Sequence, residues 1–427
     1  MLDATSDERY RKAYWRCQKP YRHWHKVRYI AREEGVDPEI LWAYLKFSRQ
    51  SNQRRLPFKD KYGQALRFNL TDELLREQSA CDQQLAGIIG FGDGHALSID
   101  KRDRFILGSL MEEAIASSKL EGASTVHRVA KEMLRRKREP RNRSEWMIHN
   151  NFRAIMFVRD HVDLPLTPEL LMELQRLLTM HTIDIDKCGR LRTEDEDIAV
   201  VDMYDEEVHV PPHASELPGR LTLICDFANR PTEDFTPFLH PLVRAMALHF
   251  QLAYDHPFCD GNGRTARTLF YWSMLRSGYW LMEFLPISRL IYRAPSQYGR
   301  VFQYVETDGF DLTYFLEYHA RIIRLARTDL RKYLERKQRE SRAARSAFAS
   351  AELNDRQRKL LMHALDHPVF EYTIESHRAI HGISYQTARE DLLNLETLGY
   401  LNRRKVGKKF IFEPTSTVRH QVDESSG

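Results

Sequence analysis

The sequence lacks the features that mark a membrane-spanning, secreted or disulfide-stabilised protein. It contains no run of about 18 apolar residues, so we expect no transmembrane helix. Its first residues, MLDATSDERYRKAYW, hold acids and aromatic side chains where a secretory signal needs a basic start and an apolar stretch, and we expect a cytoplasmic protein. The five cysteines form no Cys-x-x-Cys pair, which argues against a disulfide framework and a structural zinc site.

The chain also has no internal repeat, no long low-complexity tract and no strong charge of one sign. Its net charge of +5 permits contact with an anionic partner without requiring one. The length of 427 residues exceeds what one hydrophobic core usually supports, so we expect several domains. With 42% apolar and 29% charged residues, the composition is that of an ordinary globular protein.

Local composition predicts a mainly α-helical protein with a short β-hairpin in its central part and a small mixed domain at its C-terminus. The tryptophans and the Asp37-Pro38-Glu39 helix start indicate helices near the N-terminus. We predict a helical extension (1–95, ending in a Gly-rich stretch), a catalytic domain (96–330), a charged helical linker (331–350), a module of three helices and two strands (351–415) and a disordered tail (416–427).

The stretch HPFCDGNGRTAR, from His256 to Arg267, carries the strongest chemical signal. Apolar residues at helical spacing flank it on both sides, so we predict a loop that runs into a helix N-terminus. The first-turn N–H groups and the helix dipole favour an anion there, and the glycines let a ligand approach the backbone. Arg264 and Arg267 lie on one helix face with geometry suited to phosphate oxygens. The pattern predicts a polyphosphate site.

Two further residues of this stretch suit catalysis on a phosphate. The Asp260 carboxylate can hold Mg²⁺ while substrate phosphates and waters complete its coordination. His256, with an ordinary pKa of about 6.5, can take up a proton near neutral pH. A base, a metal ligand and an anion site would then lie within one turn of each other.

The stretch resembles the signature of the Fic family, His-x-Phe-x-(Asp/Glu)-Gly-Asn-Gly-Arg-x-x-Arg, at every specified position. The resemblance implies a helical enzyme that transfers AMP from ATP to a protein hydroxyl, with Mg²⁺ as cofactor. It implies that His256 is the general base, Asp260 the magnesium ligand and Phe258 a core anchor. For ATP it implies contacts to the α- and β-phosphates from Gly261, Asn262 and Gly263, to the β-phosphate side from Arg264 and to the γ-phosphate from Arg267.

A second motif, SSKLEG, lies far upstream and places Ser117 and Glu121 on one helix face. By itself it is typical of a solvated acid near a helix end. It is also similar to the inhibitory helix of many Fic proteins, Ser/Thr-x-x-x-Glu-Gly/Asn. This resemblance implies that Glu121 pairs with Arg267 and blocks productive ATP binding, so we expect a self-inhibited enzyme. In some relatives the same glutamate also serves AMP removal.

Two other segments of the central region resemble Fic elements. β-favouring residues around 198–201 and 208–210 predict a hairpin, in the position of the family's target-binding flap. The segment after residue 295 resembles the closing helices, where Tyr298 would flank the adenine.

The module at 351–415 resembles a winged helix-turn-helix, with Ser384 capping the recognition helix. In that interpretation Tyr385, Gln386 and Arg389 face a DNA groove, and the wing places basic residues against phosphates: Arg403, Arg404, Lys405, Lys408 and Lys409. Such modules also serve as dimerisation or docking units, so DNA binding stays open.

The leading hypothesis is a self-inhibited protein adenylyltransferase that acts on a Ser, Thr or Tyr hydroxyl of a target protein or of itself. The alternatives are a DNA-binding regulator whose Fic site senses a nucleotide, and a Fic enzyme that uses another donor or removes AMP. The sequence names neither the target protein nor the signal that relieves Glu121. It leaves the oligomeric state open, a homo-oligomer included.

Overall fold

The computed structural model describes residues 7–86, 99–196, 198–201, 206–349, 353–366, 370–406 and 409–418. Over these residues the protein is mainly helical, which confirms the predicted fold class. The chain separates into two compact units, Met1–Arg327 and Thr328–Gly427. No helix in the described parts of the chain is both long enough and apolar enough to cross a bilayer.

The N-terminal region begins with three helices that pack around a small core of Val27, Leu41 and Leu45. The predicted start at Asp37 is present, because its carboxylate accepts bonds from the N–H groups of Glu39 and Ile40. The elements are α1 (Glu8–Gln18), α2 (Trp24–Glu33), α3 (Pro38–Gln50), β1 (Arg54–Lys59), β2 (Ala65–Phe68) and α4 (Asp72–Leu85).

The hairpin β1–β2 corrects the prediction that this region is purely helical. Leu56, Phe58, Leu66 and Phe68 are buried and alternate with exposed or half-buried residues, which is the period of a strand with one buried face. The turn between the strands is held by Asp60, whose carboxylate accepts from the backbone N–H groups of residues 62 and 64. The predicted Gly-rich boundary at 87–95 lies outside the described residues.

The central region is a helical bundle whose two innermost helices, α10 and α11, are buried on nearly all sides. Its elements are α5 (Ile99–Leu120), α6 (His127–Arg136), α7 (Arg143–Asp160), α8 (Pro168–Thr179), β3 (Val200–Val201), β4 (Glu207–His209), α9 (Leu217–Asn229), α10 (Pro241–Asp255), α11 (Asn262–Arg276), α12 (Ile287–Ile291), α13 (Pro295–Thr307) and α14 (Thr313–Ala349). Strands β3 and β4 pair antiparallel at the predicted hairpin, and residues 202–205 between them lie outside the described ranges.

Helix α14 covers most of the predicted linker at 331–350 as one continuous helix. The C-terminal unit follows with α15 (Asp355–Asp366), β5 (Tyr372–Thr373), α16 (Ile374–His381), α17 (Tyr385–Thr397), β6 (Leu401–Val406) and β7 (Lys409–Pro414). Its three strands form an antiparallel sheet in the order β5–β7–β6, packed on a core that includes Leu361, Leu392 and Phe412. Strand β5 is an element that the sequence pattern did not predict.

The predicted disordered tail needs one correction at its start. Val418 is only 2% exposed and belongs to the C-terminal core. The Thr415 hydroxyl donates to the Gly399 carbonyl, which holds the chain against this unit just before the tail. Val418 is an apolar residue among polar neighbours in the sequence, so the composition of the tail did not indicate that it is buried. The remaining tail residues, 419–427, lie outside the described part of the chain.

Candidate active site

The loop between α10 and α11 is shaped by two residues in the left-handed region. His256 ends α10 with φ 46° and ψ 56°, and Gly261 precedes α11 with φ 84°. A Cβ at Gly261 would lie 2.9 Å from the Thr179 Cγ2 atom, so both backbone angle and space require glycine. The predicted loop and helix N-terminus are therefore present at this position.

Asn262 closes the loop on itself. Its side-chain oxygen accepts from the Phe258 N–H at 2.9 Å, and its side-chain nitrogen donates to the Phe258 carbonyl at 2.7 Å. Asn262 is 2% exposed and Phe258 is fully buried. In this structure the Asn262 side chain holds the loop through Phe258, and its role toward a phosphate stays a prediction.

His256 is positioned as a neutral base. Its Nδ1 lies 3.3 Å from the Ala253 carbonyl, and because a carbonyl only accepts, Nδ1 carries the proton and Nε2 keeps its lone pair. Burial lowers the pKa of His256 to about 4, opposed by the bond to Ala253 and assisted by the nearby His209. The ring is therefore uncharged at neutral pH and able to accept a proton through Nε2.

Arg264 and Asp260 form an ion pair that joins the loop to the first turn of α11. The Arg264 guanidinium is fully buried and donates to the Leu178 carbonyl at 2.8 Å, and it lies 3.3 Å from the Asp260 carboxylate. The other Asp260 oxygen lies 3.4 Å from Arg143, and the Gly261 N–H donates to Asp260 at 2.6 Å. In this structure the buried Arg264 holds the loop through its contacts with Leu178 and Asp260.

Arg267 is held by the upstream SSKLEG motif, as the family resemblance implied. Its Nε donates to the Ser117 hydroxyl at 2.8 Å, and one Nη donates to the Ser117 carbonyl and to the Glu121 carboxylate, both at 2.9 Å. Arg267 is almost fully buried, whereas the Glu121 side chain is 26% exposed. Burial opposes the charge of Arg267, but Glu121, Tyr298 and Glu113 together outweigh it, and the pKa of Arg267 is raised.

Glu121 lies directly over the first turn of α11. A Cβ placed on Gly263 would come within 2.3 Å of the Glu121 Oε1 atom and within 3.0 Å of an Arg267 nitrogen. The carboxylate therefore rests where the helix N-terminus and Arg267 together favour an anion. A negatively charged ligand at this position would compete with Glu121 for the same groups.

The end of α5 is anchored so that Glu121 reaches this position. The buried Ser118 hydroxyl donates to the Met147 carbonyl, and Asn151 donates to the Ala114 carbonyl. The helix ends in a tight turn, in which the Glu121 N–H donates back to the Ser118 carbonyl and Gly122 takes φ 90°. Packing of α5 against α7 and this tight helix end together direct the Glu121 side chain at α11.

Tyr298 and the hairpin lie on the other sides of the site. The Tyr298 hydroxyl lies 2.8 Å from His249 Nε2, and burial raises the pKa of Tyr298 to about 12, opposed by nearby Arg267. On strand β4, His209 contacts the Tyr254 carbonyl at 2.7 Å and Glu306 at 2.9 Å. These contacts tie the hairpin to α10 and α13 beside His256.

Sequence reasoning missed several polar residues that hold the loop from other elements. Gln175 donates to the Asp260 carbonyl, Arg143 pairs with its carboxylate, and Arg192 donates to the His256 carbonyl at 2.9 Å. Each lies at least 64 positions from its partner, so local spacing offered no signal for these contacts. They become visible only in the folded structure, which brings these distant residues together.

The residues present fit a magnesium ion that is shared with a nucleotide. Within the described residues no three His, Cys, Asp or Glu side chains gather into a metal cluster. Asp260, however, is a partly exposed carboxylate of the same loop, and its Oδ2 makes a 3.4 Å contact to Arg143. Because Mg²⁺ commonly takes one or two carboxylates and completes its shell with phosphates and waters, this donor set suits it.

The residues predicted to contact DNA lie on the surface of the C-terminal unit. Tyr385, Gln386 and Arg389 are exposed on α17, whose first turn is capped by the Ser384 hydroxyl. The basic side chains of β6 are also exposed, but several are paired with glutamates: Arg403 with Glu396, and Arg404 with Glu371 and Glu413. Lys405 and Lys409 are exposed, and Lys408 lies outside the described residues.

Comparisons with known proteins agree with this site. Residues 165–274 match the family model described as Fic/DOC family. The chain is 26% identical over 259 residues to the protein adenylyltransferase Fic of Drosophila mojavensis, covering 57% of this chain and 49% of that protein. It is 25% identical over 259 residues to the protein of the same name from Drosophila willistoni, covering 57% and 50%. The chain thus spans about half the length of these curated relatives.

A crystal structure of a Fic family protein from Desulfovibrio desulfuricans has the same fold. The superposition has a TM-score of 0.53 with 19% sequence identity, and it covers 81% of this chain and 97% of that chain. This likeness confirms the helical architecture. The match of residues 165–274 to the Fic/DOC family model agrees with the predicted family over that part of the chain.

Proposed function

Because the chain contains a Fic/DOC-family domain, we propose that it is a protein adenylyltransferase that transfers AMP from ATP to a Ser, Thr or Tyr hydroxyl of a target protein or of itself. One observation carries the proposal: a neutral imidazole, His256, lies beside a helix N-terminus whose anion position is filled by the Glu121 carboxylate bound to Arg267.

The proposed reaction needs one proton acceptor and a held nucleotide. The target hydroxyl loses its proton to His256 Nε2 while its oxygen forms a bond to the α-phosphorus of ATP. The bond between that phosphorus and the bridging oxygen to the β-phosphate breaks, and pyrophosphate leaves. The Ala253 carbonyl stabilises His256 after protonation, since Nδ1–H already donates to it. Positioning and charge supply most of the catalysis for such a transfer.

The nucleotide phosphates would bind at the first turn of α11. Its free N–H groups, the Gly263 backbone and Arg267 offer the positive charge that a triphosphate requires. Asp260 would hold Mg²⁺, which neutralises phosphate charge when it is bound. Arg264 keeps Asp260 and the loop in place from its buried position. Tyr298 is the proposed adenine neighbour, on α13 beside Arg267.

We propose that the resting enzyme is self-inhibited by Glu121. The carboxylate occupies the anion position over Gly263 and takes the Arg267 bond that the γ-phosphate would need. ATP can bind productively only after Glu121 has moved. Ser117 would keep Arg267 oriented during that step, because its hydroxyl and carbonyl both bond to the guanidinium.

The hairpin β3–β4 is the proposed docking element for the target. Its short strands leave an edge to which an extended segment can add by backbone hydrogen bonds. His209 ties β4 to the Tyr254 carbonyl, two residues before His256. A target strand added here would be held close to the general base.

The test is nucleotide transfer by the Glu121→Gly protein with ATP labelled at the α-phosphate. We expect self-labelling or labelling of lysate proteins, and we expect Glu121→Gly/His256→Ala to lose it. ATP labelled at the γ-phosphate is the control, since a kinase would transfer that label and an adenylyltransferase would not. Equal labelling with and without His256 would remove the proposed base from the mechanism.

The donor and the reverse reaction are tested in the same assay. The residues of the site suit the phosphates of a nucleotide more than a particular nucleobase. UTP, GTP and CTP labelled at the α-phosphate are therefore compared with ATP. A preference for another nucleotide would replace AMP in the proposal. AMP removal is measured on a labelled protein in the absence of ATP, and Glu121 would be required for it.

A second candidate function is DNA binding by the C-terminal unit, which we propose to be a winged helix-turn-helix. Its element order and three-stranded sheet, and the exposed Tyr385, Gln386 and Arg389 at one helix start, favour this hypothesis. The pairing of Arg404 with two glutamates weakens it. Retention on DNA that falls steeply with salt would support the hypothesis, and retention unaffected by Arg389→Ala and Lys405→Ala together would refute it.

A further inference from the structure

Arg192 links the catalytic loop to the end of the hairpin. It lies between α8 and β3 and is only 8% exposed. Its Nε donates to the His256 carbonyl at 2.9 Å, one Nη donates to the Pro212 carbonyl, and its backbone N–H donates to the Pro257 carbonyl at 2.9 Å. One residue therefore bonds to two consecutive carbonyls of the catalytic loop and to the segment that directly follows β4.

The residue that Arg192 holds has an unusual backbone. His256 takes φ 46°, in the left-handed region that residues other than glycine seldom adopt. Such a conformation persists only when surrounding contacts maintain it. The His256 N–H is bonded to the Leu252 carbonyl and its own carbonyl to Arg192, so both backbone groups of this residue are engaged. The direction of the imidazole depends on these bonds.

We propose that Arg192 is a positioning residue for the general base: it fixes the backbone of His256 and couples it to the hairpin β3–β4. The proposal rests on the adenylyltransferase function proposed above and adds a residue that the signature at 256–267 does not contain. A fork of two donors is required, because the two side-chain bonds reach separate segments of the chain, and lysine offers only a single nitrogen.

The charge of Arg192 bears on the proton affinity of the base. The charged or titratable groups that act on His256 are His209 on β4, Glu121 after α5 and Arg192. Burial, together with the nearby His209 and Arg192, holds the pKa of His256 low, and Glu121 opposes them. Removing Arg192 opens the loop to solvent and removes one positive charge. The pKa of His256 should then rise. As the pH is lowered, the rate of transfer should therefore begin to fall at a higher pH than in the parent.

The experiment uses the full chain in the Glu121→Gly background. The variants are Arg192→Met and Arg192→Lys, and the matched control is Arg244→Met. Arg244 is equally buried, at 6% exposure, and also bonds to a carbonyl, that of Arg230 at 2.7 Å, but at the far end of α10. The control thus removes a buried guanidinium of the same kind without touching the His256 loop.

We expect Arg192→Met to lower kcat at least about tenfold while the dissociation constant for ATP changes less than about threefold. Arg192→Lys should recover part of kcat, and the acid limb of the pH profile should move upward in Arg192→Met alone. Arg244→Met should keep kcat within about threefold of the parent value, even if its Tm falls as much as that of Arg192→Met. Equal losses of kcat in Arg192→Met and the control, with unmoved pH profiles, would overturn the proposal.

A second measurement does not depend on activity. Hydrogen–deuterium exchange should accelerate at 208–216 and at 253–262 together in Arg192→Met, and at neither in Arg244→Met. Unchanged exchange at either segment in Arg192→Met would refute the coupling. If the Glu121→Gly parent transfers no nucleotide, the proposed function fails, and exchange still decides whether Arg192 holds the loop to the hairpin. Should Arg192→Met not fold, Arg192→Gln takes its place in both measurements, since glutamine also lacks the charge and the two-donor fork.

Discussion

Removing the Glu121 carboxylate should activate the enzyme by an amount that the structure allows us to estimate. A hydrogen bond to a charged partner contributes about 1.5–3 kcal/mol. Glu121 makes one such bond to Arg267, at 2.9 Å, and its side chain is 26% exposed. Solvent weakens it, so we place the pair at about 2 kcal/mol. Since about 1.4 kcal/mol corresponds to a tenfold rate, Glu121→Gly should raise transfer about 30-fold.

The assay is the initial rate of label transfer from ATP carrying the label at the α-phosphate, at ATP concentrations well below saturation. Under these conditions the rate reports how often the anion position is free. Glu121→Gln keeps the shape but removes the charge, so its rate should lie between those of the wild type and Glu121→Gly. Glu112→Gln is the control, because Glu112 lies on α5, the helix that leads into Glu121, and pairs with Lys131 and His127 instead.

A rate for Glu121→Gly within about twofold of the wild type would refute the estimate, since it would mean that the pair contributes less than about 0.5 kcal/mol to the closed state. Activation by Glu112→Gln to the same degree as by Glu121→Gly would refute the proposed mechanism of inhibition. It would show that loosening α5 at any point relieves the inhibition, with no particular role for the bond to Arg267.

Three further predictions concern the loop itself. Gly261→Ala should lower the free energy of unfolding by about 1–3 kcal/mol in a denaturant titration, because the new Cβ meets Thr179 at 2.9 Å in a left-handed backbone. Transfer by Glu121→Gly should be independent of pH from about 5.5 to 8, because burial lowers the pKa of His256 to about 4 and the neutral ring is the base; a limb near 6.5 would contradict this. Asp260→Asn should raise the Mg²⁺ concentration for half-maximal rate by roughly tenfold or more, measured by magnesium titration at constant ATP.

The elements of the site could be predicted because their signals are local. The glycines and the caps around residues 256–267 lie within a few positions of the backbone that they shape, and helical periodicity places α10 and α11 on either side. The bonds of Asn262 to Phe258 were not predicted, because an amide side chain suits a backbone partner as well as a phosphate.

Contacts across the chain could not be obtained in the same way. Glu121 lies 146 positions from Arg267, and nothing in the residues between them indicates that α5 returns to α11. The family resemblance supplied that pairing, and the resemblance says nothing of Arg192. The hairpin β1–β2 was missed for another reason, since its alternating pattern is short and Pro57 interrupts its first strand.

The way in which α5 is anchored limits how the inhibition can be relieved. Deeper in the helix the buried carboxylate of Glu113 accepts from the Ser288 hydroxyl and from the Ser288 N–H at 2.9 Å, and burial raises its pKa. Undocking α5 would expose this pair and would cost far more than the single bond from Glu121 to Arg267. Glu121 lies beyond the last helical residue, is partly exposed and is followed by Gly122 at φ 90°. Release of the helix end, with Ser117 still on Arg267, is therefore the cheaper route.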